Sequence, residues 1–362
     1  MKVINYKEVN TTEYHISEYY SHFYPEANLL FFDIETTGFA AKNTTLYLIG
    51  VLWYEADNLY IRQWFNDDGK SEAAILSAFQ EFCLAFTHLV HFNGLGFDLP
   101  YLRQKADMLK IPFTVDSKLQ QIDILKEIRS YKKLFSLDNM KQVTIEQFLG
   151  IKREDTYNGG ELINVYQRYV ARPDEPKEHI LLLHNHDDLL GMPKISQILN
   201  YKAFMEEVKP HNIVIGETDG KLTIHFRFES FAFLPKRLSV TKNGIYLNAI
   251  EQSGLLQIPI FTGTLKHFFP DYKNYYYLPK EDMALHKSVA TYVEADNKIK
   301  ATKSTCYVKK TDAFIPCLLS NYKETFQNAP KDKDCFITKD CLLQGDVASQ
   351  TEYILHALQT FL

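Results

Sequence analysis

The sequence predicts an α/β fold, a sheet flanked by helices, followed by a second, β-rich α+β domain. Three observations lead there. Apolar runs of strand character cluster early and give way to a long stretch of helical periodicity. Near residue 208 the pattern changes, and Pro210 opens a series of alternating β-like runs. Finally, 362 residues exceed what one hydrophobic core usually supports. The expected division is an N-terminal segment (1–28), an α/β domain (29–208) and a β-rich domain (209–362).

Taken in order, the polar N-terminal segment leads into LLFFDI (29–34), LYLIGVLWY (46–54) and LYIRQWF (59–65), joined by turn-forming stretches and read as an antiparallel meander. A helix follows from Ser71 as N-cap, with Ile75, Phe79, Phe82 and Phe86 on one face. LVHFN (89–93) is a further strand entering a Gly94/Gly96 loop. From Leu99 the periodicity is helical through LPYLRQKADML, LQQIDILKEIRSYKKLF and LDNMKQVTIEQFLG, whose Gly150 fits the position after a helix end. Another helix is expected over 180–208. Beyond it come NIVIGE, KLTIHFRF, RLSVT and GIYLN as strands, and a final helix over 348–362.

Composition excludes several classes. Apolar residues make up 46% and charged residues 23%, the balance of an ordinary globular protein. No uninterrupted apolar window of about 18 residues exists, and the N-terminus lacks a secretory apolar core, so a cytoplasmic protein without membrane partners is expected. Five cysteines, never spaced CxxC, suggest neither a disulfide framework nor a structural zinc site. The net charge of −5 argues against gripping nucleic acid by general basicity. Residues 1–200 hold 20 basic and 27 acidic side chains, and residues 201–362 hold 20 and 18. Within the acidic half a basic run, Arg103, Lys105, Lys110, Lys126, Arg129, Lys132 and Lys133, has two readings, a phosphate-facing surface or a solvated helix face. In the second half, Phe226, Arg227, Phe228, Lys236 and Arg237 read either as a base-stacking platform or as part of a half-buried sheet.

The chemistry-bearing residues fall in three blocks. In DIETTG, Asp33 and Glu35 stand two apart at the end of an apolar strand and so share a face. Two carboxylates there repel unless a cation lies between them, and an oxygen-rich set suits Mg²⁺ or Mn²⁺. In NGLGFDLP, Asp98 is either a helix N-cap or a third acid of the same site, and Asn93 is a loop amide, a phosphate contact or a brace for a ligand carboxylate. In LLLHNHDDLLGM, His184 and Asp188 are four apart on one helix face; Asp187 is the rival ligand, and His186 a polar neighbour.

These blocks, in this order and at these places, resemble the three exonuclease motifs of the DEDD exonucleases in the ribonuclease H-like superfamily, most closely the YprB-like branch. The resemblance spans residues 29 to about 200. It implies a ribonuclease H-like mixed sheet and a metal-dependent nuclease, a 3′–5′ exonuclease acting on DNA or RNA that is single-stranded or has a free 3′ end. Two Mg²⁺ or Mn²⁺ ions would be held by Asp33, Glu35, Asp98 and Asp188, with His184 positioning the attacking water and Thr36, Thr37 and Asn93 contacting substrate. One feature departs from the pattern: His184 occupies the spacing at which the tyrosine subclass has Tyr. That substitution motivates a second reading, a nucleic-acid-binding module with weak or no nuclease activity.

Overall fold

The computed structural model describes the chain except residues 9–15, 56–57, 156, 158, 230–232 and 320–321. The chain forms two compact units, Met1–Glu206 with Phe231–Lys236, and Glu207–Ser230 with Arg237–Leu362.

The first unit contains β1 (Lys2–Glu8), α1 (Glu18–Phe23), β2 (Leu29–Thr36), β3 (Leu46–Glu55), β4 (Asn58–Phe65), α2 (Glu72–Cys83), β5 (His88–His91), α3 (Asp98–Leu109), α4 (Val115–Lys118), β6 (Gln120–Asp123), α5 (Ile124–Ile128), α6 (Lys132–Phe135), α7 (Gln142–Leu149), α8 (Gly159–Ala171), α9 (Glu175–Ile195) and α10 (Leu199–Glu207). Its six strands form one mixed sheet in the order β1-β4-β3-β2-β5-β6. The expected meander is present, β2 pairing β3 and β3 pairing β4 antiparallel. Strand β5 then joins β2 in parallel, and β6 joins β5 in parallel.

Two elements differ from expectation. LQQID, read as the start of a helix, is the edge strand β6, since four residues are too few to display a period of two. The N-terminal segment, for which no element was expected, supplies β1, which lies antiparallel along β4 and extends the sheet.

Strand alternation sorts the sheet's side chains. Leu30, Phe32 and Ile34 pack with Ile49, Val51 and Trp64 against Ile75, Leu76 and Phe79 of α2 and Leu99 and Leu102 of α3. On the other side Tyr47, Leu48 and Phe65 meet Leu162, Tyr166 and Tyr169 of α8 and Leu181 and Leu182 of α9. Asp33 and Glu35 alternate with Phe32 and Ile34, so they emerge toward α9.

The second unit is mainly antiparallel. Strands β7 (Lys209–Thr218), β8 (Lys221–Glu229), β9 (Leu238–Lys242), β10 (Ile245–Ile250) and β11 (Ser253–Pro259) form a sheet in the order β7-β8-β11-β10-β9. Two three-stranded sheets follow, β12 (Phe261–Phe268) with β16 (Tyr307–Pro316) and β17 (Phe336–Thr338), and β13 (Tyr275–Leu278) with β14 (Met283–His286) and β15 (Ile299–Lys300). Helices α11 (Lys287–Ala290), α12 (Lys339–Leu343) and α13 (Val347–Gln359) complete it. Phe226 and Phe228 are buried inward from β8, which makes the half-buried sheet, and not a stacking platform, the role of KLTIHFRF. All five cysteines are free, and among the described residues no helix is long and apolar enough to cross a membrane.

Candidate active site

Four acids and a histidine from three separated segments line one open cavity of about 620 Å³, together with Ile34, Phe39, Asn93, Phe97, Leu125, Met140, Lys141 and Gln142. Asp33 and Glu35 reach it from the end of β2, Asp98 from the first residue of α3, and His184 and Asp188 from consecutive turns of α9.

Each carboxylate is held differently. Asp33 Oδ2 accepts from Asn185 Nδ2 at 2.9 Å. Glu35 Oε2 accepts from the buried Tyr47 hydroxyl at 3.3 Å. Asp98 is not the cap of α3, because Phe97 holds that position; Asp98 is only 6% exposed. Asp188 Oδ1 takes Arg153 Nη1 at 2.6 Å, and Gln142 Nε2 reaches the Asp188 carbonyl at 3.0 Å. Burial, with the charges of Asp188, Glu35 and Asp98, pushes the Asp33 carboxyl far above the usual range. Burial also carries Glu35 up to about 7, with Asp188 adding to the rise and His184 and the Tyr47 hydroxyl opposing it. Asp98 likewise rises to about 7 through burial, which the backbone amides of Asp98 and Ile34 partly offset. Burial thus disfavours the charged form of three of these acids, a cost that a bound cation relieves.

His184 sits between these acids. Its Nδ1 lies 2.7 Å from Asp155 Oδ2, and its Nε2 lies 3.6 Å from both Glu35 Oε1 and Asp188 Oδ2. Glu35, His184 and Asp188 each place one donor atom within 4.8 Å of the other two, a spacing that can hold a metal ion. Asp187 points elsewhere: its Oδ2 accepts from the amides of Glu154 and Asp155 at 2.9 and 2.8 Å and fixes the loop that carries Arg153 and Asp155. His186 packs edge-on against Tyr6, a structural contact.

The substrate-assigned residues divide. Asn93 lines the cavity with φ of 66°, its amide held by Asp123 Oδ1 at 3.0 Å. Asp123 also accepts from the Leu95 amide at 3.0 Å, so this carboxylate shapes the whole loop. Gly94 is required there, because a Cβ would stand 2.5 Å from the His91 ring. Thr36 ends β2 and Thr37 begins the bend after it. Thr36 Oγ1 donates to the Gly38 carbonyl at 2.8 Å, and both the amide and the hydroxyl of Thr37 are spent on Thr45. Neither lines the cavity.

Sequence reasoning missed Asn185, Asp155, Arg153, Gln142 and Glu146. Asn185 carried a signal: it interrupts the apolar stripe Leu181 to Leu189 and is wholly buried. Its Oδ1 accepts from Gln63 Nε2 at 2.9 Å, which orients Nδ2 toward Asp33. Asp155 and Arg153 carried none, since nothing in KREDTYNGG gives its distance from α9. Of the basic run, Arg103 pairs with Asp116, and the buried Lys105 pairs with Glu72 at 2.8 Å, so both are structural.

Residues 30–200 match the RNase_H superfamily. That segment carries all five cavity residues of the three motifs and every strand of the mixed sheet except β1 and the first residue of β2. Residues 30–200 have a ribonuclease H-like fold. The ribonuclease H-like segment is also 25% identical over 189 residues to the uncharacterized protein YprB of Bacillus subtilis (strain 168), a match covering 52% of this chain and 45% of that protein. The chain therefore spans less than half of the curated relative. Among solved structures, the family B DNA polymerase of Pyrobaculum calidifontis is similar at 15% identity and TM-score 0.38, covering 69% of this chain and 36% of that one. E. coli exonuclease I, solved with a dA16 oligonucleotide, is similar at 13% identity and TM-score 0.29, covering 55% and 54%. The ribonuclease H-like fold and its acidic cavity together support a nuclease.

Proposed function

We propose that this chain is a metal-dependent nuclease, a 3′–5′ exonuclease acting on DNA or RNA that is single-stranded or has a free 3′ end. Residues 29–208 are the exonuclease domain and 209–362 a separate β-rich domain. The observation that carries the reading is the convergence of Asp33, Glu35, Asp98 and Asp188 on one cavity where burial and mutual repulsion raise three of their proton affinities. An all-carboxylate oxygen set fits hard divalent ions, and these four residues would hold two Mg²⁺ or Mn²⁺. Such ions, when bound, acidify water and neutralise charge on the scissile phosphate and leaving oxygen.

The chain's own groups do the rest. Asn185 and Tyr47 fix the Asp33 and Glu35 carboxylates at the end of a rigid strand. His184 Nε2 faces the space between Glu35 and Asp188, where an attacking water must arrive. Asn93, Phe39 and Phe97 border the cavity as contacts for the terminal nucleotide, the two rings lying 5.8 Å apart. Of the three residues assigned to substrate, Asn93 is the one that borders the site.

A second reading, a binding module with weak or no turnover, is favoured by Arg153, whose guanidinium already pairs with Asp188 and with Glu146 at 3.1 Å. An internal cation on a ligand carboxylate competes with metal. The test is hydrolysis of end-labelled DNA and RNA across Mg²⁺, Mn²⁺ and chelator. A ladder shortening from the 3′ end, abolished by chelator, is expected. Internal fragments from circular substrates would replace the exonuclease by an endonuclease, and tight binding without products would favour the module.

A further inference from the structure

We infer that His184 is itself a metal ligand through Nε2, oriented by Asp155, so that Glu35, His184 and Asp188 form a mixed nitrogen and oxygen site selecting a first-row transition ion over Mg²⁺. The inference rests on the nuclease reading and names the ion class that the site takes. It differs from the water-positioning role expected of His184.

Three features of the geometry carry it. The donor atoms of these three residues, and of no other such group among the described residues, lie within 4.8 Å of one another. Donors each about 2.0–2.2 Å from one ion stand roughly 2.8–3.6 Å apart at octahedral to tetrahedral angles, from ordinary bond lengths. Nε2 is 3.6 Å from each carboxylate oxygen, at the upper end of that span and beyond hydrogen-bond reach, so a shared ion joins the three where a proton does not.

The outer contact has the form that metal-bound histidines adopt. A ligating imidazole hands its second N–H to a carboxylate, which fixes the ring and strengthens the ligand. His184 has this partner in Asp155, at 2.7 Å from Nδ1 and with its side chain 3% exposed. Asp155 is in turn pinned through its amide, which donates to Asp187 Oδ2 at 2.8 Å. With the proton on Nδ1, the Nε2 lone pair faces the acids. The next turn of α9 brings Asp188 to the same side, as spacing of four requires.

The chemical consequence is selectivity. Mg²⁺ demands oxygen ligands and retains its waters, whereas imidazole nitrogen suits first-row transition ions. The carboxylates Asp33 and Asp98 remain an oxygen set able to take a second, harder ion.

The deciding experiment loads the full chain with Mn²⁺ and records electron spin-echo modulation, with Mn²⁺ and Mg²⁺ affinities measured by calorimetry. Nitrogen modulation from a directly bonded imidazole is expected, lost in His184→Gln. That variant should weaken Mn²⁺ by more than about tenfold while changing Mg²⁺ less, and Asp155→Asn should weaken Mn²⁺ roughly 10–100-fold. Tight Mn²⁺ binding without nitrogen modulation in the unsubstituted protein overturns the inference and leaves the nuclease reading standing. Failure to bind either ion overturns both.

Discussion

Asp33 faces Asn185 on one side and three further carboxyl groups on the others, and this asymmetry defines what its removal does. Asn185 donates a hydrogen bond to its carboxylate, while Asp188, Glu35 and Asp98 all oppose its charge. Asp33→Ala and Asp188→Ala each delete a carboxylate proposed as a metal ligand without emptying the apolar core. Both are expected to lose metal-dependent hydrolysis by at least about 100-fold, the upper end for an outer-shell partner, with the fold retained by circular dichroism. Turnover equal to the parent would remove these residues from the site. Asn185 is the opposite case. Asn185→Leu keeps the branched outline but adds bulk and removes the hydrogen-bond donor to Asp33 and one of the two acceptors of Gln63 Nε2, so denaturant unfolding should show a loss of about 1–3 kcal/mol, the cost of an orphaned buried polar group. The acids were legible in the sequence because strand and helix periodicities fix which residues share a face. Asp155 was not, because its partnership with His184 is set by a loop path between α7 and α8 that has no period.

At the scale of elements, the site depends on how closely α9 approaches the sheet. Gly50 on β3 makes that approach possible: a Cβ there would stand 1.9 Å from Asn185 Oδ1 and 2.7 Å from Leu189 Cδ1. The backbone needs no glycine for its own conformation; the helix needs the space. Gly50→Ala therefore lifts the middle of α9, the stretch carrying His184, Asn185 and Asp188. We expect a loss of about 1–3 kcal/mol in denaturant unfolding, as for overpacking, with weaker divalent-ion binding by calorimetry. Unchanged metal affinity in a folded variant would show that the ligands are not seated through this contact. The run LYLIGVLWY announced a strand but not this role, since its Gly50 reads as a mild defect until the helix above it is known. Similarly, strand-like runs of six or more residues announced β2, β3 and β4. The four-residue β6 and the polar β1 take their pairing from neighbours and were hidden.

At the scale of the whole molecule, the excess of 27 acidic over 20 basic residues in positions 1–200 includes four acids gathered on one cavity, three of them with carboxyl groups raised by burial. An acid whose folded pKa exceeds its unfolded value binds more protons when folded, so its contribution to stability falls as pH rises between the two values. Glu35 climbs from 4.5 to about 7, Asp98 from 3.8 to about 7, and Asp33 is raised in the same direction. His184, raised from 6.5 by the charges of Glu35 and Asp188 and by Asp155, against its burial, contributes stability that is complete below 6.5 and is lost as pH passes its folded value. His91, lowered by burial, opposes them in the part of this window below 6.5, against the rises of Glu35 and Asp98 to about 7. The acids with lowered values, such as Asp187 and Asp174, act below 3.8 and lie outside it. Without divalent metal, the melting temperature should therefore fall between pH 5 and 7. Metal competes with protons for these oxygens, so its benefit must grow over the same interval. At one hundred times the dissociation constant it reaches about 2.7 kcal/mol. Calorimetric melting in chelator and in Mn²⁺ at pH 5 and pH 8 measures both trends. A chelated protein whose melting temperature climbs between pH 5 and 7, or a metal gain as large at pH 5 as at pH 8, would mean that burial does not raise the carboxyl groups of Asp33, Glu35 and Asp98 together.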